Sequence, residues 1–319
     1  MNSVIFVDNL QNGKKLKEFL IRKSPDLSDI LIVNKKNISS YSSELKSTNY
    51  IFSTWSMPKL TASEISIFFP KLQAIFYAAG DTRYFEKPFL AKSIKIYSAI
   101  EENSLRVAEY VLAQILLSNK GYFQSSKKYS SQFNSLLSFR EAKKQSINHF
   151  GNLRSKIGII GLGTVGSKLA EKLNSFKFKV YAYDPYIDDS NFRSLNVTRK
   201  SLQDIFKDCH IITNHLPDNS ETKNLINYEY FKLMMKFSTF INTGRGNQIV
   251  EADLIKAMKE DKTRTALLDV TRKEPVIPFS SILRTKNIFL TPHIAGSQGN
   301  EIYGLYEKIF KDYCKFIEQ

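Results

Sequence analysis

The chain of 319 residues is poor in cysteine, short of acidic side chains and free of any apolar run of bilayer length. Each shortage closes off a class of protein. Two cysteines, Cys209 and Cys314, give neither a disulfide framework nor metal-ligand spacing, so no structural metal is expected. The first residues, Met1-Asn2-Ser3-Val4-Ile5-Phe6-Val7-Asp8, lack the basic and long apolar regions of an export signal. Nothing is long enough to span a bilayer, so the expectation is a cytoplasmic protein with no membrane partner. No internal repeat and no low-complexity tract is visible.

Acidic residues number 31 against 46 Lys and Arg, a formal charge of +15. Eight of the basic residues lie between Lys120 and Lys156, with Glu141 their sole acidic neighbour. Such an excess suits nucleic-acid binding or steering of anions, or it is simply a lysine-rich solvated surface. No nucleic-acid motif accompanies it, so the solvated surface is the working reading and no nucleic-acid partner is expected. Hydrophobic residues make up 42% and charged residues 24%, as in an ordinary globular protein long enough for two domains.

The first hundred residues alternate short apolar runs (Val4–Val7, Ile30–Val33, Tyr50–Ser53, Ala74–Tyr77, Ile94–Tyr97) with polar, helix-like stretches. That alternation predicts an α/β domain with a mostly parallel sheet. Leu105 to Leu117 is apolar nearly all round, which predicts a helix buried on several faces. Residues 121–152 are polar and basic and read as an exposed helical arm and linker. Strands are expected again at Ile211–Thr213, Thr239–Ile241, Ala266–Leu268 and Ile288–Leu290, with an amphipathic helix from Tyr303 onward.

The densest signal is Lys156-Ile157-Gly158-Ile159-Ile160-Gly161-Leu162-Gly163-Thr164-Val165-Gly166, an apolar strand running into G-x-G-x-x-G. A helix-compatible segment follows, and a second apolar run ends at Asp184. This is the dinucleotide-binding β-α-β pattern. Gly161 permits the tight turn, Gly163 lets backbone N–H groups approach a pyrophosphate, and Gly166 lets the helix pack closely. The helix N-terminus offers unpaired donors to phosphate. Asp184 would accept from the adenosine ribose hydroxyls and repel a 2′-phosphate, so the expected cofactor is NAD.

Three polar residues fall where later strands should end: Arg245, Glu274 and His293. In a doubly wound sheet those ends form the ligand crevice, so residues distant in sequence can converge there. Their chemistry suits a 2-oxo acid. Arginine can hold a carboxylate bidentately and polarise the adjacent carbonyl, histidine can protonate the developing alkoxide, and a glutamate can orient that histidine. Taken singly, Arg245 reads equally as an ion-pair partner, His293 as a structural histidine and Glu274 as a turn residue.

Together these features resemble the D-isomer-specific 2-hydroxyacid dehydrogenase family, which includes phosphoglycerate dehydrogenase and glyoxylate/hydroxypyruvate reductases. The resemblance rests on the glycine fingerprint, on Asn103 with Val107-Ala108-Glu109, and on His215-Leu216-Pro217 with Thr222. It extends to Asn242-Thr243-Gly244-Arg245-Gly246, to Leu268-Asp269-Val270 with Glu274-Pro275, and to Thr291-Pro292-His293-Ile294-Ala295-Gly296. It implies interconversion of a small 2-oxo acid and its D-2-hydroxy acid, with Arg245 on the substrate, His293 as acid/base and Glu274 supporting it. It also implies a backbone cradle for the substrate at Ala79 and Gly80 with Asn103 nearby. Thr164 and Val165 would line the pyrophosphate, Pro217 and Thr222 the adenine and ribose side, and Thr243, Gly244 and Asp269 the nicotinamide side.

The implied architecture is two doubly wound α/β domains. A Rossmann NAD-binding domain with a dimerisation arm (102–294) is inserted into a flavodoxin-like substrate domain formed by 1–101 and completed by a C-terminal helix in 295–319. Related enzymes are commonly homodimers. Gly244 stands where alanine is frequent, Arg272 where an acidic or neutral residue is common, and the arm lacks a frequent tryptophan. Two other functions compete: an NAD(H)-sensing, corepressor-like regulator, and a sister dehydrogenase acting on phosphite. Asn103 reads also as a cap for a helix starting near Ser104, and Glu109 as the partner of a basic residue across the domain junction. His149, His210 and Cys209 receive no role.

Overall fold

The computed structural model describes residues 2–130 and 135–318, which fall into two units. One comprises the chain up to Ser104 together with the segment from Ser297 onward; the other is Leu105–Gly296. The division falls inside the helix Ile100–Ser118.

The first unit is built on a parallel sheet of β1 (Ser3–Phe6), β2 (Leu31–Val33), β3 (Tyr50–Ser53), β4 (Ala74–Tyr77) and β5 (Lys95–Ser98), in the order β2-β1-β3-β4-β5. That is the flavodoxin-like order. Strands β1 and β4 are buried at every residue, which is why they read as continuous apolar runs. Strand β5 starts one residue later than the apolar pattern suggests, because the Ile94 N–H turns back to the Phe89 carbonyl. The last helix, Glu301–Ile317, buries Leu305, Tyr306 and Ile309. Its aromatic rings pack on the first hundred residues: the Tyr313 ring centre lies 5.0 Å from that of Phe52 and 5.4 Å from that of Phe76 in the sheet, and that of Tyr306 lies 5.5 Å from that of Phe19 in the helix Leu10–Lys23.

The second unit is built on a seven-stranded parallel sheet of β6 (Lys156–Ile160), β7 (Lys179–Tyr183), β8 (Thr198–Arg199), β9 (Ile211–Asn214), β10 (Thr239–Asn242), β11 (Thr265–Leu268) and β12 (Ile288–Leu290). The order β12-β11-β10-β9-β6-β7-β8 is the dinucleotide-binding order with one extra strand, and it reverses between β6 and β9. Register places the strand ends Tyr183, Ile160, Asn214, Asn242, Leu268 and Leu290 side by side along one edge. Every loop of this unit that carries a candidate residue leaves from that edge.

One element differs from the sequence expectation, and the helical arm is anchored at its start. The helix Ile100–Ser118 buries a single stripe, Val107, Ala108, Val111 and Ile115, while Leu117 is exposed. Its remaining apolar residues are only partly covered. Segment 121–152 contains two helices, Tyr122–Ser130 and Ser135–Ile147, the first fixed by Phe123 against Phe289 and by Lys127 Nζ donating to the Lys286 carbonyl. Tyr129, Leu136, Phe139 and Ile147 are exposed there. Among the described residues no helix is long and apolar enough to cross a membrane.

Candidate active site

The glycine turn sits at the point where the strand order reverses. Gly161 has φ +90°, and a Cβ there would lie 2.8 Å from the His215 carbonyl oxygen at the end of β9. Only glycine lets the two strand ends approach so closely. Gly166 faces the turn itself, since a Cβ would lie 2.0 Å from the Gly161 carbonyl oxygen. Gly163 is the opposite case, with no protein atom within 4 Å of the Cβ position. It begins the helix Thr164–Leu173 with no side-chain cap, so the first N–H groups of that helix rise beside open space. Tight where protein meets protein and vacant over the helix end, this is the shape an anionic ligand needs.

Asp184 closes the β7 edge of the turn. Its Oδ2 accepts from the Leu162 N–H at 2.8 Å and its Oδ1 from the Tyr186 N–H at 2.9 Å. The carboxylate is thereby held against the glycine loop, with lone pairs left for further donors. The hydroxyl oxygen of Thr243, after β10, is buried and has no hydrogen-bond partner. An unpaired buried polar atom at this edge is a place for a ligand donor or acceptor. The residues present therefore fit a dinucleotide.

The three chemistry-bearing residues follow three adjacent strands: Arg245 after β10, Glu274 after β11 and His293 after β12. Glu274 and His293 meet directly, with His293 Nδ1 2.8 Å from Glu274 Oε2. Glu274 Oε1 accepts from the Thr271 N–H at 3.1 Å. Gly246 joins the arginine turn to that loop, because a Cβ on it would lie 2.0 Å from the Thr271 carbonyl carbon. Arg245 is half-buried, with Nη1 donating to the Gly244 carbonyl at 2.9 Å. His293 adopts φ +56°, an uncommon conformation for a side-chain-bearing residue. Its N–H is anchored on the Asp269 carbonyl at 3.0 Å.

Several residues do something other than, or besides, what the sequence suggests. The Asp269 carboxylate accepts from Thr291 Oγ1 at 2.6 Å and from the N–H groups of Ile294 and Ala295 at 2.8 and 2.9 Å. It acts here as a strut for the His293 turn. Thr222 folds onto its own loop, its hydroxyl donating to the Pro217 carbonyl at 2.6 Å. The Ala79 N–H is spent on the Tyr77 carbonyl at 2.9 Å, which removes one donor from the expected cradle. Gly80 adjoins Asn103, whose Nδ2 would lie 3.3 Å from a Gly80 Cβ. Asn103 is inside its helix and does not cap it; the helix begins at Ile100, and Asn103 Oδ1 accepts from the Ser297 N–H at 3.0 Å. Glu109 pairs with Arg106 at 2.9 Å and Lys172 at 3.0 Å, all within the second unit and not across a junction.

The sequence reading missed a group of buried amides beneath the site. Asn214 Nδ2 donates to Asn242 Oδ1 (3.0 Å) and to Gln248 Oε1 (2.7 Å), and all three side chains are inaccessible to solvent. Asn214 and Asn242 are last residues of strands, and a polar residue ending an apolar run was the available signal. His215, next to Asn214, bonds Thr213 Oγ1 through Nε2 at 2.9 Å, and burial pushes its imidazole down to about 3. It is therefore neutral and unsuited to acid/base work near neutral pH.

Comparison with known proteins bears on this geometry. Residues 115–295 match the family model described as "D-isomer specific 2-hydroxyacid dehydrogenase, NAD binding domain". The chain is 31% identical over 208 residues to a D-3-phosphoglycerate dehydrogenase of Archaeoglobus fulgidus, covering 65% of this chain and 38% of that protein. It is 34% identical over 146 residues to a glyoxylate reductase of Aeropyrum pernix, covering 46% of this chain and 44% of that one. The matched segments thus span about two fifths of the length of these curated relatives. In fold it is similar to a crystal structure of D-lactate dehydrogenase from Aquifex aeolicus complexed with NAD and lactic acid, with TM-score 0.72, 23% identity, and coverage of 99% of this chain and 96% of that one.

Proposed function

The chain belongs to the D-isomer-specific 2-hydroxyacid dehydrogenase family, and we propose that it is an NAD-dependent reductase of a small 2-oxo acid to the D-2-hydroxy acid. The observation that carries this reading is the His293–Glu274 hydrogen bond at the strand ends next to the arginine turn. With Nδ1–H directed to the carboxylate, Nε2 is the nitrogen left to exchange a proton with substrate. Arg245 holds the substrate carboxylate and polarises the neighbouring carbonyl. His293 gives its Nε2 proton to the carbonyl oxygen as that oxygen gains negative charge, and Glu274 stabilises the imidazolium beforehand. The dinucleotide, when bound, supplies the hydride. One hydride and one proton convert the carbonyl to the alcohol, and the reverse reaction returns both.

Gly163, Thr164, Val165 and Gly166 would hold the pyrophosphate, Asp184 the adenosine ribose, and Thr243 and Gly244 the nicotinamide side. In the first unit we assign Gly80 and Asn103 to substrate recognition. We also assign the exposed apolar side chains of the arm, Leu136, Phe139 and Ile147 among them, to the contact between two copies of the chain. Sedimentation equilibrium should show a dimer that Phe139→Asp weakens.

The decisive assay is consumption of NADH with glyoxylate, hydroxypyruvate, pyruvate and phenylpyruvate. Turnover with at least one is expected. NADH binding without turnover on any 2-oxo acid would overturn the assignment and favour a nucleotide-sensing role.

A further inference from the structure

The space over Gly244 is taken by a side chain four residues along the chain. A Cβ on Gly244 would fall 2.5 Å from Gln248 Oε1, closer than a Cβ contact can be, so the amide would have to move. Gln248 is buried, and each end of its amide is bound. Its Oε1 accepts from the Arg245 N–H (2.9 Å) and Asn214 Nδ2 (2.7 Å), while its Nε2 donates to the Leu216 carbonyl (2.7 Å) and the Pro217 carbonyl (3.0 Å). One side chain therefore ties the turn bearing Arg245 to the loop after β9. Asn242 repeats the pattern from the other side, its Oδ1 accepting from the Gly244 N–H at 3.1 Å.

We propose that Gln248 is a positioning residue for Arg245, that it couples the arginine turn to the Leu216–Pro217 loop beside the dinucleotide, and that Gly244 is glycine to make room for it. The inference rests on the dehydrogenase reading only where it assigns Arg245 to the substrate. Physically, a planar amide with both ends bonded fixes two loops relative to each other more stiffly than an apolar residue could. Polar networks of this kind specify one arrangement when every member is satisfied. Arg245 must be set accurately, since a displacement of about 1 Å at a substrate-binding group can cost about a hundredfold in rate.

The test is a four-protein cycle of wild type, Gly244→Ala, Gln248→Val and the double variant, read by KM, kcat, the NADH Kd from fluorescence quenching, and Tm. Gln248→Val should raise KM for the 2-oxo acid about tenfold, the scale of a lost hydrogen bond to a positioned group, and weaken NADH several-fold. Gly244→Ala alone should raise both, because its methyl displaces the Gln248 amide. In the Gln248→Val background the same methyl should add a smaller loss in KM than it does in wild type, because the amide is gone and only the Asn214 and Asn242 side chains, 3.2 and 3.4 Å away, remain to be crowded. A fall in Tm with KM and NADH Kd within twofold of wild type would show that Gln248 only fills space, and additive losses in the double variant would remove the Gly244 link. If Gln248→Val fails to fold, Gln248→Asn, which shortens the amide out of reach of Arg245, takes its place in the same cycle. Should wild type turn over no 2-oxo acid, the catalytic reading falls by itself. The coupling is then decided by the NADH Kd and Tm cycles.

Discussion

At the scale of single residues, the proposed roles separate by which quantity a substitution moves. His293→Ala should lower kcat by about a hundredfold to ten-thousandfold, the usual worth of a general acid, with the NADH Kd unchanged. Glu274→Gln keeps a hydrogen-bonding side chain 2.8 Å from Nδ1 but removes its charge, so a smaller loss confined to kcat is expected. Asp184→Ala should raise the NADH Kd about tenfold or more, since the ribose would lose hydrogen bonds to a charged group, and should narrow the preference over NADPH. An unchanged cofactor preference would remove Asp184 from the ribose. These candidates stand out in the sequence because guanidinium, imidazole and carboxylate sit in dense, ordered motifs. Gln248 and Asn214 do not, and Asn242 enters only as part of a motif, because a buried amide has no periodicity of its own and is justified only by partners distant in the chain. Asp269 was legible only as part of a motif, and its strut-like bonding to the His293 turn is a fact of three dimensions.

At the scale of elements, the glycine turn offers a sharper experiment than any catalytic knockout. Gly166→Ala pushes a methyl into the Gly161 carbonyl, and overpacking of this kind costs about 1–3 kcal/mol, so Tm and NADH affinity should fall together. Gly163→Ala meets no protein atom, and its effect on stability should stay within about 0.5 kcal/mol, as for a surface substitution. Loss of NADH binding by Gly163→Ala at unchanged Tm, measured by titration and thermal melts, identifies that space as the ligand's. Equal affinity would place the pyrophosphate elsewhere. The long strands were readable from their apolar runs, whereas β8 was not: its two residues, Thr198 and Arg199, are exposed and polar, and it exists only by pairing with Tyr181 and Ala182. The single buried stripe of Ile100–Ser118 was unreadable for the converse reason, since apolar residues on several faces do not say which face finds a neighbour.

For the whole molecule, three histidines set the response to acid. Burial depresses His149, holds His210 down to about 4 and holds His215 down to about 3, against 6.5 for an open imidazole. Unfolding therefore takes up protons below about pH 6.5, so stability is full above that pH and declines as the pH drops toward 4. Glu64, Glu109, Asp208 and Asp261 have lowered values and add to the loss only below their ordinary range near 4. Melting temperatures between pH 7 and 5 should fall in wild type and fall less in His215→Asn; parallel curves would clear that histidine. The closing helix Glu301–Ile317 has a different consequence, one of timing. Phe19, Phe52 and Phe76 lie in the first hundred residues, yet Tyr306 and Tyr313, which pack on them, follow the whole of Leu105–Gly296 in sequence. The second unit, contiguous in sequence, can therefore fold before the first has all of its pieces.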